Sequence, residues 1–317
     1  MVRLVLPALL LLVHINAACQ QTLGGVKRNV LDIALRAPMM GIITDDAVEL
    51  WNIQSRTLLA SIPAAMTGRL TAVAFGDDFY TLVTGSDKGQ VTAWKMTAGA
   101  SIEYLAAGNQ GAVTSLDASC SGRFVAASFA NHRVMVFQQP DGAQVYSFDG
   151  LTADATAVSF AIDETTLASG SADGTITIHN ILTNKTLPFV KDKWIRAMTF
   201  NKEGNKLIAA SNGDMVTLQN KSGSWENAME TIDNKLLGNW ITSVDASAYN
   251  SRISALSTLS GKVLIMTDEG TYHYKMKGIV NRIKLLPSYD KITYIAVATR
   301  GQGLVILSAA KMNLSRK

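Results

Sequence analysis

The sequence contains few of the residues that build disulfide frameworks, metal centres or basic arms. Its 317 residues include two cysteines, Cys19 and Cys120, and four histidines without ligand spacing between them. This excludes a disulfide-rich scaffold and a cysteine-rich zinc site, so no metal or cofactor is expected. Charged residues make up only 17% of the chain, and its net charge of +4 is not concentrated in any lysine or arginine block. Nucleic-acid binding is therefore not expected.

Long apolar runs are also missing beyond the first eighteen residues. Residues 1–18 read MVRLVLPALLLLVHINAA, with an early arginine, a leucine-rich stretch and a small-residue end. This layout is typical of a secretory signal peptide, and its apolar stretch is too short to span a bilayer. The sequence predicts a signal peptide over residues 1–18 and one domain over residues 19–317. A cytoplasmic protein whose N-terminus is not a signal is the alternative.

The end of this leader, Ala17-Ala18-Cys19, resembles the cleavage site of a bacterial lipoprotein signal. In that family the cysteine carries the lipid, so the resemblance implies a membrane anchor on Cys19. The pattern prefers leucine three places before the cysteine, where this chain has Asn16. Ordinary cleavage after Ala17 or Ala18, giving a secreted protein, therefore stays open. The other thiol, Cys120, is expected to be a small buried apolar residue near a strand end.

A unit of about forty residues recurs seven times along the chain. The clearest copy, TAVSFAIDETTLASGSADGTITIHN from Thr156, consists of apolar strands separated by polar turns. One apolar position in the first strand sets the register of the seven copies, at spacings of 39 to 46 residues: Ile33, Val73, Leu116, Val158, Met198, Val244 and Ile283. Antiparallel strands with this period are typical of propeller blades. The sequence predicts an all-β, seven-bladed β-propeller of four-stranded antiparallel blades, which start near residues 31, 71, 114, 156, 196, 242 and 281.

Two of the copies carry a recognisable family motif. The stretches LVTGSDKGQVTAWK from Leu82 and LASGSADGTITIHN from Leu167 resemble the second and third blade strands of WD repeats. The resemblance covers about residues 31–307 and implies a scaffold that binds proteins and catalyses nothing. The Gly-His pair that opens the family repeat is absent, and the closing Trp-Asp pair is degenerate, as in His179-Asn180. We therefore expect an incomplete hydrogen-bond network and stability that comes mainly from apolar packing between blades.

The last copy has three predicted strands, and the polar tail from Ala309 to Lys317 is a poor fourth strand. Residues 21–26, ahead of the first copy, can supply that outer strand instead. Propellers of this family usually close by pairing their two chain ends, which removes an exposed sheet edge. The prediction is a monomeric ring closed by its N-terminal strand.

Binding residues are predicted on the face of the disc that carries the loops leading into the first strands and the turns between second and third strands. We call this the upper face and the opposite one the lower face. The residues predicted to contact a protein partner there are Arg69, Trp194, Arg196, Trp240 and Arg282. Paired tryptophans flanked by cations are typical of protein interfaces, although packing at a blade junction is the alternative. Trp225, in the long stretch of residues 221–238, is expected to project from the lower face.

Two carboxylates on first strands provide an alternative of a different class. Asp117 and Asp245 occupy equivalent places in copies three and six, so a hydrolase that uses channel carboxylates is conceivable. The repeated threonines of the first strands, such as Thr71 and Thr114, are interpreted as strand formers. No nucleophile elbow, phosphate loop or metal triad occurs in the sequence. The prediction is a non-catalytic protein-binding scaffold, secreted or lipid-anchored outside the cytoplasmic membrane.

Overall fold

A computed structural model of the chain describes residues 20–22, 29–63, 69–105, 111–190, 193–228, 240–247, 250, 252–287, 294–309 and 312–316. The predicted signal peptide and Cys19 lie outside the described residues. The described residues form seven antiparallel sheets, which are the blades of a seven-bladed β-propeller, so the predicted fold is confirmed. In the described part of the chain there is no helix that is long and apolar enough to cross a bilayer.

The first strand, β1, spans Gln20–Thr22. Blade one contains β2 (Val30–Arg36), β3 (Met39–Thr44), β4 (Ala47–Asn52) and β5 (Thr57–Pro63). Blade two contains β6 (Leu70–Phe75), β7 (Thr81–Ser86), β8 (Val91–Lys95) and β9 (Ala100–Leu105). Blade three contains β10 (Val113–Ala118), β11 (Phe124–Phe129), β12 (Val134–Gln138) and β13 (Gln144–Phe148). Blade four contains β14 (Ala155–Phe160), β15 (Thr166–Ser171), β16 (Thr175–Asn180) and β17 (Lys185–Val190).

Blade five contains β18 (Ile195–Phe200), β19 (Lys206–Ser211), β20 (Met215–Lys221) and β21 (Ser224–Ala228). Blade six contains β22 (Ile241–Ala246), β23 (Ser254–Thr258), β24 (Lys262–Thr267) and β25 (Gly270–Lys275). Blade seven contains β26 (Val280–Leu286), β27 (Tyr294–Thr299) and β28 (Gly303–Ser308). The last strand of the chain is β29 (Asn313–Arg316). The first strand of each blade is the innermost, and each contacts the first strands of both neighbouring blades around a closed ring.

The two chain ends occupy different blades. β1 pairs antiparallel with β28, with Gln20 opposite Leu307, so an N-terminal strand completes blade seven as predicted; it spans Gln20–Thr22, and residues 23–26 of the predicted range 21–26 lie outside the described residues. β29 pairs with β25, with Asn313 opposite His273, and becomes a fifth strand of blade six. The polar tail carries no strand signal in the sequence. An outermost strand buries little side-chain surface, however, and its backbone pairing tolerates polar residues.

Seven hydrophobic clusters make up the core, and each joins two neighbouring blades. Alternate side chains of one strand point to opposite faces of its sheet. In β3, for example, Ile43 packs with Leu82 of blade two, whereas Ile42 packs with Ala296 of blade seven. Each blade is therefore apolar on both faces. All seven of the predicted register positions are buried.

Packing between blades explains the glycine of the Gly-Ser pair in the repeat motif. A side chain at Gly85 of β7 would collide with Val113 of blade three, and one at Gly170 of β15 would collide with Ile195 of blade five. Each glycine therefore lets the first residue of the next innermost strand approach its backbone closely. Blade two thus packs closely on blade three, and blade four on blade five.

The repeated threonines link consecutive blades and are more than strand formers. The hydroxyl of Thr71 donates to the carbonyl of Val113 at 2.6 Å, and that of Thr114 donates to the carbonyl of Ala155 at 2.5 Å. Thr156 makes the same bond to Ile195. The inner edge of each innermost strand faces the channel and has no strand partner, so its backbone groups need other hydrogen bonds. These threonines supply them from the preceding blade.

The expectation that stability comes mainly from apolar packing between blades also leaves out side-chain hydrogen bonds between second and third strands. The Trp94 indole N–H donates to the Thr84 hydroxyl at 2.8 Å. In blade four His179 takes the place of that tryptophan, and its Nε2 lies 2.7 Å from the Ser169 hydroxyl. Its Nδ1 lies 3.0 Å from the Tyr146 hydroxyl. His179 is fully buried, and this burial lowers its pKa to about 3.

We expect the protein to lose stability as the pH falls from about 6.5 toward 5. In this window the unfolded chain binds a proton at His179, whose ordinary pKa is 6.5, whereas the folded chain does not. Stability therefore falls by about 1.4 kcal/mol for each pH unit because of this residue. His179→Phe, which copies Phe137 of blade three, should flatten that slope in urea titrations compared at several pH values. Equal slopes in the two proteins would contradict a neutral, buried His179.

Candidate functional site

Two tryptophans on the upper face enclose an arginine. Trp194 precedes β18, and Trp240 precedes β22 of the next blade. Their ring centroids are 6.4 Å apart, with an angle of 64° between the ring planes. The Arg196 guanidinium carbon lies 4.7 Å from the Trp194 centroid and 5.5 Å from the Trp240 centroid. The structure therefore brings together three of the predicted contact residues, and we call them the Trp-Arg-Trp stack.

The stack is open to solvent at its tryptophans. Trp194 is 38% exposed and Trp240 is 45% exposed, although large aromatic side chains are usually mostly buried. Val190, at the end of β17, and Leu259, in the turn after β23, are further exposed apolar residues on the upper face. The Leu259 amide donates to the Trp240 carbonyl at 2.7 Å, which fixes this turn beside the stack. Exposed aromatic and aliphatic side chains grouped in this way are typical of a docking surface.

Arg196 is partly desolvated in the stack. Burial lowers the pKa of its guanidinium. Its Nε–H is buried without a hydrogen-bond partner among the described residues, and no carboxylate of the described chain pairs with it. The nearby Lys193, in contrast, pairs with Asp214 at 3.4 Å. The two indole rings thus stabilise the Arg196 charge through their π-faces, which neutralise it less completely than a carboxylate would.

The other predicted contact residues lie elsewhere. Arg69 is exposed on the upper face of blade two, away from the stack. Arg282 is only 24% exposed, because its side chain turns into an ion pair with Asp32 in the channel. Trp225 does not project from the lower face, so that expectation is wrong: it lies within β21 and packs edge-to-face on Phe200 at 5.8 Å. The stretch read as an insertion contains the outer strand of blade five, and Trp225 covers its core.

The channel holds a cluster of charged side chains that the sequence interpretation recognised only in part. Arg282 pairs with Asp32 at 2.5 Å, and Lys284 pairs with Asp245 at 3.0 Å. Burial opposes the charged forms of Lys284 and Arg282, but the aspartates around them more than offset it, so both pKa values are raised. Burial raises the pKa of Asp117, although the nearby Lys284 and Arg282 act to lower it. Charged residues next to the buried register positions are the signal that would have located this cluster.

These channel aspartates also hold neighbouring blades together. Asp117 accepts a hydrogen bond from the amide of Phe160 in blade four, and Asp245 accepts one from the amide of Leu285 in blade seven, each at 2.8 Å. Asp32 accepts a hydrogen bond from the amide of Val73, the register residue of blade two, in the same way. Both carboxylates of the hydrolase alternative thus satisfy backbone groups of the next blade, which favours a structural role for them.

The described part of the chain contains no candidate centre for metal or thiol chemistry. No group of three histidine, cysteine, aspartate or glutamate side chains there could hold a metal ion. Cys120 is exposed in the turn after β10, so the expectation of a buried cysteine is wrong. Turns between strands lie at the surface, and this position explains why the Cys120 side chain is exposed.

Comparisons with known proteins agree with this architecture. The WD40 family, described as "WD domain, G-beta repeat", matches residues 142–180, which run from the outer strand of blade three to the third strand of blade four. That match contains His179 and Ser169. It covers one repeat of the seven.

Two curated proteins are similar to longer stretches. A WD repeat-containing protein, SL1-17, from Schistosoma mansoni is 24% identical over 43% of this chain and 46% of its own length. Autophagy-related protein 16 from Arabidopsis thaliana is 21% identical over 80% of this chain and 52% of its own length. The chain thus spans about half the length of the curated relatives it matches. Together with the seven blades, these matches support a WD-repeat propeller, and WD-repeat relatives suggest a protein-interaction scaffold.

Proposed function

We propose that this chain is a non-catalytic scaffold that docks a protein partner on its upper face. The Trp-Arg-Trp stack carries the proposal, because it exposes two large aromatic side chains around a partly desolvated cation. Tryptophan and arginine are the residues that most often dominate the free energy of protein association. The exposed Leu259, whose amide donates to the Trp240 carbonyl, widens the apolar surface beside the stack.

Position-specific photocrosslinking tests the docking face. A benzophenone amino acid replaces Leu259 on the upper face in one protein and Ile162 in another. Ile162 is a matched control, since it is also an exposed aliphatic residue but lies in a lower-face turn after β14. We expect one partner to be crosslinked from position 259 and not from position 162, as seen on denaturing gels. Equal adducts from both positions, or adducts from position 162 alone, would refute an upper-face docking site.

We further propose that the scaffold acts outside the cytoplasmic membrane, either secreted or anchored by a lipid on Cys19. The composition of residues 1–18 supports this location. Because β1 begins at Gln20, a lipid on Cys19 would sit directly beside the outer strand of blade seven, without a linker. The disc would then lie close against its membrane.

Mass spectrometry of the mature N-terminus tests the location. A diacylated Cys19 is the result expected for the anchored form, and an unmodified start at Ala18 or Cys19 is the result expected for the secreted form. An intact leader beginning at Met1 would reject both and favour the cytoplasmic scaffold.

A further inference from the structure

The position of Arg196 in the repeat shows that it is not needed to link blades. It occupies the first-strand place that holds the linking threonines Thr71, Thr114 and Thr156. Blade seven has Asn281 there, which donates to the Val30 carbonyl at 2.6 Å. In four blades, therefore, a short neutral side chain at this place makes the hydrogen bond to the next blade. Blade five instead carries a charged one, whose partial burial costs free energy.

Among the described residues on the upper face of blades five and six, cationic side chains outnumber carboxylates. The described upper-face residues of blades five and six are 193–196, 212–214, 240, 259–262 and 275–277. Their only carboxylate is Asp214, which pairs with Lys193. Their five cationic side chains are Lys193, Arg196, Lys262, Lys275 and Lys277. A surface with this balance attracts acidic partners and repels basic ones.

We propose that the Trp-Arg-Trp stack binds an aspartate or glutamate side chain of the partner, with an apolar neighbour of that residue seated on the two indoles. This rests on the proposed docking function and names the chemistry of its partner. The guanidinium offers N–H donors in a planar fork that fits a carboxylate, and no carboxylate of the described chain already occupies it. Arg196 is partly buried between the indoles, and this partial desolvation strengthens a charge-assisted hydrogen bond.

Peptide selection tests this chemistry on the full-length protein. A phage-displayed library of random dodecapeptides is selected on the wild-type protein, with Trp194→Ala/Trp240→Ala used for counter-selection. We expect the retained peptides to carry an acidic residue next to an apolar one. Replacing that residue by its amide should weaken binding by about 10-fold or more, as measured by fluorescence polarisation.

Arg196→Thr is the matched variant, because threonine is the residue that the chain itself uses at this place. We expect the variant to keep the thermal stability of the wild type, to bind the acidic peptide about 10-fold more weakly, and to bind the acid and amide forms equally.

Four outcomes would overturn the inference. An undiminished preference for the acid in Arg196→Thr would show that the carboxylate binds elsewhere. Tryptophan-dependent peptides without acidic residues, or peptides that bind only after a serine in them is phosphorylated, would exclude a carboxylate partner while leaving the docking function intact. A library that yields no peptide dependent on Trp194 and Trp240 would count against both proposals.

Discussion

Asp32→Ala is expected to lower the free energy of unfolding by about 4 kcal/mol, the largest stability loss from one polar substitution in this ring. Asp32 is 2% exposed and accepts hydrogen bonds from three blades at once. Its carboxylate binds the Arg282 side chain of blade seven at 2.5 Å and the Val73 amide of blade two at 3.0 Å. Its own blade contributes the Ile33 amide at 2.9 Å. Alanine would leave a largely buried guanidinium and a buried amide without partners.

Chemical denaturation of matched variants measures this effect. Asp268→Ala is the control, since it removes the aspartate of an exposed pair with Arg252 at 3.0 Å and should cost less than about 1 kcal/mol. The double variant Asp32→Ala/Arg282→Ala should be more stable than Asp32→Ala alone, because it removes the unpaired charge as well. If Asp32→Ala cost no more than Asp268→Ala, the channel pair would not contribute to ring closure.

The architecture could be predicted because every blade is buried on both faces. That burial forces apolar residues to alternate at fixed places, so Ile33 and its six equivalents mark the blades in the sequence. The strands start one residue earlier than the repeats suggest, as at Val113 and Ala155, which is the usual uncertainty of strand ends. The N-terminal strand was predictable from the missing fourth strand of the last copy.

The remaining features depend on contacts between blades, which no single repeat reveals. The Thr114 hydroxyl finds its partner in the next blade, 41 residues further along the chain. The polar β29 joins blade six only because the backbone edge of β25 is available to it. Trp225 lies in a stretch whose length suggests an insertion, and only the pairing of β21 with β20 shows it to be a strand. In each case the determining partner is distant in sequence, so local pattern alone could not identify it.

The candidate site was predictable in part for the same reason. The equivalence of Trp194 and Trp240, each four places before a register residue, already indicates that they stand side by side in adjacent blades. Their contact with each other and with Arg196 joins two blades, so only the structure shows it. Arg282 has a similar sequence context, but the aspartate of blade one draws it into the channel. A flanking cation therefore indicates a surface contact only where no buried carboxylate competes for it.

Trp194→Ala/Trp240→Ala is expected to abolish partner binding while leaving the fold intact. The two side chains supply most of the exposed aromatic surface of the stack, and loss of such anchors typically costs 2 kcal/mol or more each, or about 30-fold in affinity. Both residues precede their strands and are not among the residues of the hydrophobic clusters of blades five and six, so the loss of stability should stay below about 1 kcal/mol.

The control is Leu58→Ala/Leu59→Ala, which removes comparable exposed apolar surface from the outer strand of blade one. Both double variants are compared with the wild type by co-purification of the photocrosslinked partner and by thermal unfolding. We expect Trp194→Ala/Trp240→Ala to lose the partner at an almost unchanged melting temperature and the control to retain it. Undiminished partner binding together with a melting temperature lowered by many degrees would contradict this expectation, because the tryptophans would then be packing residues of the blade junction.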